Sequence, residues 1–239
     1  MANNWKSIWE KRSADERIFE SADVNGVFVE LKKTDGFDIP GGKPDDNAFL
    51  KQHNDIRDML FDGVPTDMEK SIYEVGCGSG AELYMFEHEG FACGGMDYSE
   101  KLSSIAKKVL KTKDITCAEA CELPVAPKYT AVLSNSVFSY FTDADYAKKV
   151  LEKMYLKTNY SIGLIDLYNI EKKDEFFAYR RATVENFDEK YAGLDKTFYS
   201  KAFFEDFADK HGMKAVFLAS EVEGYWNNRF IFNCYMYKK

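Results

Sequence analysis

The chain has 239 residues, 45% of them hydrophobic, enough for one α/β domain with an appendage. Its net charge of −8 argues against nucleic acid as a partner, and no apolar run is long enough to span a bilayer, so no membrane association is expected. The start, Met-Ala-Asn-Asn-Trp-Lys, lacks a secretory profile, and five cysteines without CxxC spacing fit reduced thiols, so a cytoplasmic protein with no metal site is expected.

In chain order, residues 1–69 read as an N-terminal helical cap. Trp5 and Trp9 lie one helical turn apart, a spacing that suits either capping a cleft or docking a terminal helix. The breaker cluster Ile39-Pro-Gly-Gly-Lys-Pro-Asp-Asp46 reads as a linker. Phe49, His53, Ile56 and Leu60 then share a helical face, with Arg57 beside it. A histidine on such a face is either packed into the core or, if it lines a pocket, the best general base in the chain.

Residues 70–239 change character. Ile72-Tyr-Glu-Val-Gly-Cys-Gly-Ser-Gly80 reads as a buried strand running into a glycine-rich turn, and Ala81 to His88 as a helix. Glycines at a strand-to-helix turn let the backbone approach a ligand, and the helix start offers unpaired N–H groups, so a nucleotide-like cofactor is expected across residues 76–80. Strands are expected over Phe91–Met96, Asp114–Ala118, Tyr129–Ser134 and Tyr160–Leu167, and helices over Ser99–Leu110 and Asp143–Tyr155. Such alternation implies βαβ units and a parallel sheet covered on both faces. After a helix over Lys201–Lys210, the strands Met213–Ala219 and Arg229–Tyr237 are too close together for a parallel crossover, so the sheet should end in an antiparallel hairpin.

Gly76-x-Gly78-x-x-Ala81 with Asp97 about twenty residues on satisfies the dinucleotide fingerprint, which keeps an NAD-dependent oxidoreductase as one alternative. Glu74 before the first glycine, Glu119-Ala-Cys-Glu-Leu-Pro124 after the third strand and the terminal hairpin favour another reading. The motifs resemble those of class I S-adenosylmethionine-dependent methyltransferases, small stand-alone bacterial type: Glu74-Val-Gly-Cys-Gly-Ser-Gly80 the first, Gly95-Met-Asp97-Tyr-Ser99 the second, Glu119–Pro124 the Asp-Ala-x-x-Leu-Pro loop, and Val132–Tyr140 the fourth-strand motif. The resemblance covers about residues 70–142 specifically and implies a Rossmann-like three-layer sandwich with a mostly parallel seven-stranded sheet. It also implies S-adenosyl-L-methionine as cofactor and S-adenosyl-L-homocysteine as product. Glu74, Gly76, Cys77, Gly78, Asp97, Tyr98, Glu119, Ala120 and Ser134 are then expected at the cofactor, with Asp97 on the ribose hydroxyls, Tyr98 on the adenine face, Glu119 at the adenine amine and Arg57 at the methionine carboxylate. Glu119 stands where the family has Asp, one methylene longer.

The reaction this resemblance implies needs alignment more than a catalytic triad. The substrate is expected at the carboxyl edge of the sheet, under an insert over about residues 168–198. Three of the six arginines, Arg180, Arg181 and Arg229, fall in that insert or in the hairpin turn, where planar guanidinium groups suit a carboxylate or phosphate. Phe138, Tyr140, Tyr168, Trp226, Trp5 and Trp9 complete the expected substrate surface, and His53 is the candidate base. The expected activity is methyl transfer to an oxygen or nitrogen of a small polar or anionic molecule, a metabolite or surface-sugar precursor. A non-catalytic S-adenosylmethionine-binding partner protein is the remaining alternative.

Overall fold

The computed structural model describes residues 5–37 and 46–239, so most of the segment read as a linker lies outside the described residues. Strands β1 (Ser71–Val75), β2 (Ala92–Asp97), β3 (Ile115–Cys117), β4 (Tyr129–Asn135), β5 (Thr158–Tyr168), β6 (Lys214–Ala219) and β7 (Ile231–Tyr237) form one sheet in the order β3-β2-β1-β4-β5-β7-β6. The first five strands pair in parallel, and β7 runs antiparallel to both β5 and β6. This is the expected Rossmann-like sheet with its terminal hairpin.

β1 is buried along its whole length, as a central parallel strand covered on both faces must be. Its side chains alternate between two cores: Ile72 joins Leu133 on one face, while Tyr73 and Val75 join Val132 on the other. Helices α1 (Trp5–Trp9), α2 (Val24–Lys32), α3 (Asp46–Phe61), α4 (Ala81–His88) and α5 (Glu100–Val109) precede β3 in the chain. Phe28, Phe49, Ile56 and Leu60 of α2 and α3 belong to the same core as Ile72, so the N-terminal segment packs onto the sheet.

The other core is covered by α6 (Ala144–Lys157) and, beyond the insert helices α7 (Lys173–Thr183) and α8 (Phe187–Lys190), by α9 (Lys201–Lys210). Side-chain caps fix several helix starts: Ser99 accepts from the Leu102 N–H at 3.2 Å, Asp143 from Tyr146 at 2.7 Å and Ser200 from Phe203 at 3.2 Å. The insert closes over the sheet edge through a small aromatic core of Tyr168, Phe176, Phe198 and Phe230. Among the described residues no helix is long and apolar enough to cross a membrane.

Candidate active site

The glycine turn after β1 is held by its neighbours. The Gly76 and Cys77 N–H groups both donate to the Met96 carbonyl, at 2.8 and 2.9 Å, which ties the turn to the end of β2. Gly76 and Gly78 have φ of 76° and 54°, a region L side chains rarely adopt. A Cβ at Gly76 would come within 2.4 Å of Val137, and one at Gly78 within 2.4 Å of the Asp35 carboxylate. The turn therefore sits pinched between two loops from distant parts of the chain.

Asp97 ends β2 and is buried; its carboxylate accepts from the Gly78 N–H at 3.0 Å and the Ser99 N–H at 2.8 Å. Burial pushes its pKa up to about 6, against the pull of those two amides. Tyr98 follows at the wall, and Glu119 caps the next turn: its N–H donates to Glu122 at 3.1 Å, and its carboxylate accepts from the Tyr146 hydroxyl at 3.3 Å.

Behind the glycine turn lies a buried charge cluster. Lys32 donates to Glu82 at 3.0 Å, both side chains 2% exposed. His53 Nδ1 lies 2.8 Å from the other Glu82 oxygen, and Asn135 Nδ2 donates to Glu82 at 3.2 Å. Burial works against ionisation of Glu82, but Lys32 and His53 outweigh it and hold the carboxyl down at about 2. Glu74 is also buried, yet its Oε2 has no hydrogen-bond partner. Burial, then the nearby Glu82 and Asp35 carboxylates, push Glu74 well above the usual carboxylate range.

These groups surround a cavity of about 370 Å³. Its walls carry Asp35, Glu74, Glu82, Asp97 and Glu119 against Lys6 and Lys32. A cationic ligand fits this lining, and the orphaned Glu74 oxygen is placed to take an ammonium or sulfonium; a pyrophosphate would meet carboxylates instead. Of the expected cofactor residues, Glu74, Gly76, Cys77 and Gly78 line this cavity, as do Asp97, Tyr98, Glu119 and Ala120.

Two others do not. Ser134 is buried in β4, and its hydroxyl donates to the Val75 carbonyl at 3.0 Å, binding two strands together. Arg57 pairs with Glu89 at 2.7 Å and Asp58 at 2.9 Å, where its own acidic neighbours hold it away from the cavity. His53, the expected base, is likewise displaced. It is 1% exposed, wedged between Glu82 and Glu89 with its ring edge-on to Phe86 at 4.8 Å, and lines neither cavity. The apolar face of α3 docks inward and carries His53 into the core, where it supports Glu82 from behind.

A second cavity, about 690 Å³, adjoins the first, and Trp5, Trp9, Asp35, Phe37, Ser136 and Tyr140 line both. Trp5 and Trp9 pack edge-on against Tyr140 at 4.8 and 5.5 Å. Trp5 is also tied to the insert, donating from Nε1 to the Asp195 carbonyl at 2.8 Å. Tyr168, Arg180 and Trp226 line this cavity as expected, with Arg181 at its rim paired to Asp188 at 2.9 Å. Phe138 does not: it is buried against Phe141, Tyr199 and Phe204 beneath its loop. Arg229 points outward over Tyr179, 3.9 Å from Glu175, because the hairpin turn directs it to solvent.

Sequence reasoning missed Asp35, Lys196, Ser136 and Asp166. Burial pushes the Asp35 carboxyl up to about 7, against the Ser79 N–H that donates to it at 2.7 Å. At the seam between the cavities, the Ser136 hydroxyl donates to Asp166 at 2.7 Å and the Tyr225 hydroxyl donates to it at 3.2 Å. Ser136 and Asp166 both have φ of 60°, and β5 changes register between Leu164 and Leu167. That irregularity turns Asp166 toward Ser136. The Asp35-Gly36 pair reads as an ordinary turn, Ser136 lies inside the Val132–Tyr140 motif without being singled out, and nothing local marks Asp166 or Lys196.

Residues 73–156 match a family model described as a methyltransferase domain. No curated protein matches by sequence. Magnesium protoporphyrin IX methyltransferase from Synechocystis PCC 6803, with bound S-adenosylhomocysteine, shares the fold at TM-score 0.59, with 12% identity over 91% of this chain and 100% of that one. The plantazolicin methyltransferase BpumL with the same ligand gives TM-score 0.59 at 16% identity over 99% and 98% of the two chains. An amino pentose methyltransferase from Micromonospora echinaspora, bound to S-adenosylmethionine, gives 0.61 at 10% identity over 79% and 91%. The motifs thus gather around one acidic cavity in and beside the region that matches a methyltransferase-domain model, on a fold shared with methyltransferases solved with S-adenosylmethionine or S-adenosylhomocysteine bound.

Proposed function

We propose that this enzyme methylates an oxygen or nitrogen of a small polar or anionic molecule taken into the second cavity, in the cytoplasm and without a nucleic-acid partner. The observation that carries this reading is the shared wall: Asp35, Ser136 and Tyr140 border both cavities, so a molecule in the larger one meets the smaller one there. Aromatic walls and a volume of about 690 Å³ suit a small molecule rather than a polymer. The cofactor supplies an electrophilic methyl group on a sulfonium, whose carbon–sulfur bond breaks as the acceptor's lone pair bonds to carbon.

Within that reading, Glu74 takes the cofactor's positive end and Asp97 accepts from its ribose hydroxyls. Trp5 and Trp9 cover the seam and keep out water. Asp35 stands in the shared wall with a proton affinity near neutral, which suits a base that takes the proton leaving an O–H or N–H acceptor.

The test is incubation with methyl-deuterated S-adenosylmethionine and a small-molecule extract, followed by mass spectrometry. The expected result is S-adenosylhomocysteine together with a low-mass product carrying the label on oxygen or nitrogen. Cofactor binding without any turnover would favour the non-catalytic binding partner instead.

A further inference from the structure

The second cavity contains an unusual pairing of cations with rings. Arg180 is 7% exposed, and its guanidinium lies 4.6 Å from the Trp226 ring centre while donating to the Tyr191 hydroxyl at 3.0 Å. Lys196 stands among three rings, with its ammonium 4.1 Å from Tyr140, 4.7 Å from Tyr168 and 4.9 Å from Trp5, and it donates to the Ser139 hydroxyl at 3.3 Å. Among the described residues no carboxylate lies within ion-pair distance of either. Arg181 on the rim differs: it already holds Asp188.

A buried cation with no carboxylate in contact is costly, and two near each other cost more; Asp166 is the nearest offsetting charge to Lys196 and touches neither cation. Burial first, then Arg180, bring Lys196 down to about 7, against the smaller opposing pull of Asp166. An anion placed between them relieves both effects. The same rings argue against a cationic acceptor, because their faces are already occupied by the protein's own cations, and a third positive charge would meet repulsion. The same four residues, Trp5, Tyr140, Tyr168 and Trp226, also line the cavity, so its walls are aromatic and suit a planar group packed against ring edges.

We infer that the acceptor is a planar aromatic molecule bearing an oxyanion, carboxylate or phosphate, that lies between Arg180 and Lys196, with the atom to be methylated directed to the seam at Ser136 and Asp35. This rests on the methyl-transfer reading above and deepens it. Guanidinium recognises such groups through a planar fork, and the lysine adds a compact second charge.

The test is calorimetry on the full chain saturated with S-adenosylhomocysteine, using 4-hydroxybenzoate, phenyl phosphate, 4-hydroxybenzamide and 4-hydroxybenzylamine as probes. The expected result is that at least one anion binds at least tenfold more tightly than the amide, and that the amine binds no better than the amide. Arg180→Gln and, separately, Lys196→Met should each reduce that preference tenfold or more while S-adenosylhomocysteine affinity is retained, which shows that the variants are folded. Whichever anion is preferred identifies the group. Equal binding of acid and amide, preference for the amine, no binding of any probe, or an anion preference that survives both substitutions would each overturn the inference. Failure of the wild type to bind S-adenosylhomocysteine would instead overturn the methyl-transfer reading on which it stands.

Discussion

Asp97 accepts two backbone N–H groups and has lone pairs left for a diol. Asp97→Ala should weaken S-adenosylmethionine binding by roughly 10–100-fold through lost charge-assisted hydrogen bonds, with the circular dichroism spectrum retained. Affinity at the wild-type level in calorimetry would remove Asp97 from the ribose. Asp35→Asn should lower kcat by about 10²–10⁴-fold and abolish a rise of kcat with pH that levels off near 7. An unchanged pH profile would show that the proton leaves by another route. His53→Ala should act on stability instead: it leaves a cavity beside Phe86 and strips Glu82 of a partner, at about 2–4 kcal/mol. A denaturant midpoint equal to wild type would contradict that placement.

Which of these residues can be read from sequence follows from how each is positioned. Glu74, the glycines and Asp97 sit at fixed offsets along one strand-turn-helix unit and the strand beside it, so spacing reveals them. Asp35 and Ser136 in the shared wall, and Lys196 in the larger cavity, come from three separate segments brought together by tertiary packing. His53 was legible as a residue on an apolar helical face, but the partner that decides its role, Glu82, comes from another helix.

At the scale of elements, the alternation after residue 70 encodes the sheet well, because each parallel strand is a short apolar run bounded by turn residues. The helical insert does not declare what it covers, since its anchoring ring, Phe176, looks like any amphipathic helix residue. In the structure Phe176 packs against Tyr168 at 5.2 Å and against Phe198 and Phe230 at 5.5 Å each. Phe176→Ala should remove about 3–5 kcal/mol of local packing and loosen the insert. Proteolysis within residues 173–190 should then quicken while S-adenosylhomocysteine affinity holds. Unchanged cleavage would mean that the insert is secured elsewhere.

For the whole molecule, the acidic cavity has a thermodynamic consequence. Burial raises Asp35 and Asp97 to about 7 and about 6 in the folded chain against 3.8 for an exposed aspartate, so between those values the folded state binds more protons than the unfolded one. Their contribution to stability is complete below about pH 4 and is lost as pH rises through about 6 to 7. Glu82, lowered to about 2, acts in the opposite sense: its contribution is present above about 4.5 and is lost as pH falls toward 2. The unliganded wild type should therefore lose stability between pH 5 and 7.5 relative to Asp35→Asn, as followed by urea midpoints. Parallel curves for the two proteins would refute the assignment. The same repulsion that weakens the empty protein favours a cationic cofactor.

The most direct measurement is isothermal titration of the purified chain with S-adenosylmethionine, S-adenosylhomocysteine and NAD(H) in parallel. The account predicts micromolar binding of both adenosyl ligands and no heat from NAD(H), because five carboxylates line the cavity that would have to hold its pyrophosphate. Binding of NAD(H) with no response to either adenosyl ligand would contradict it.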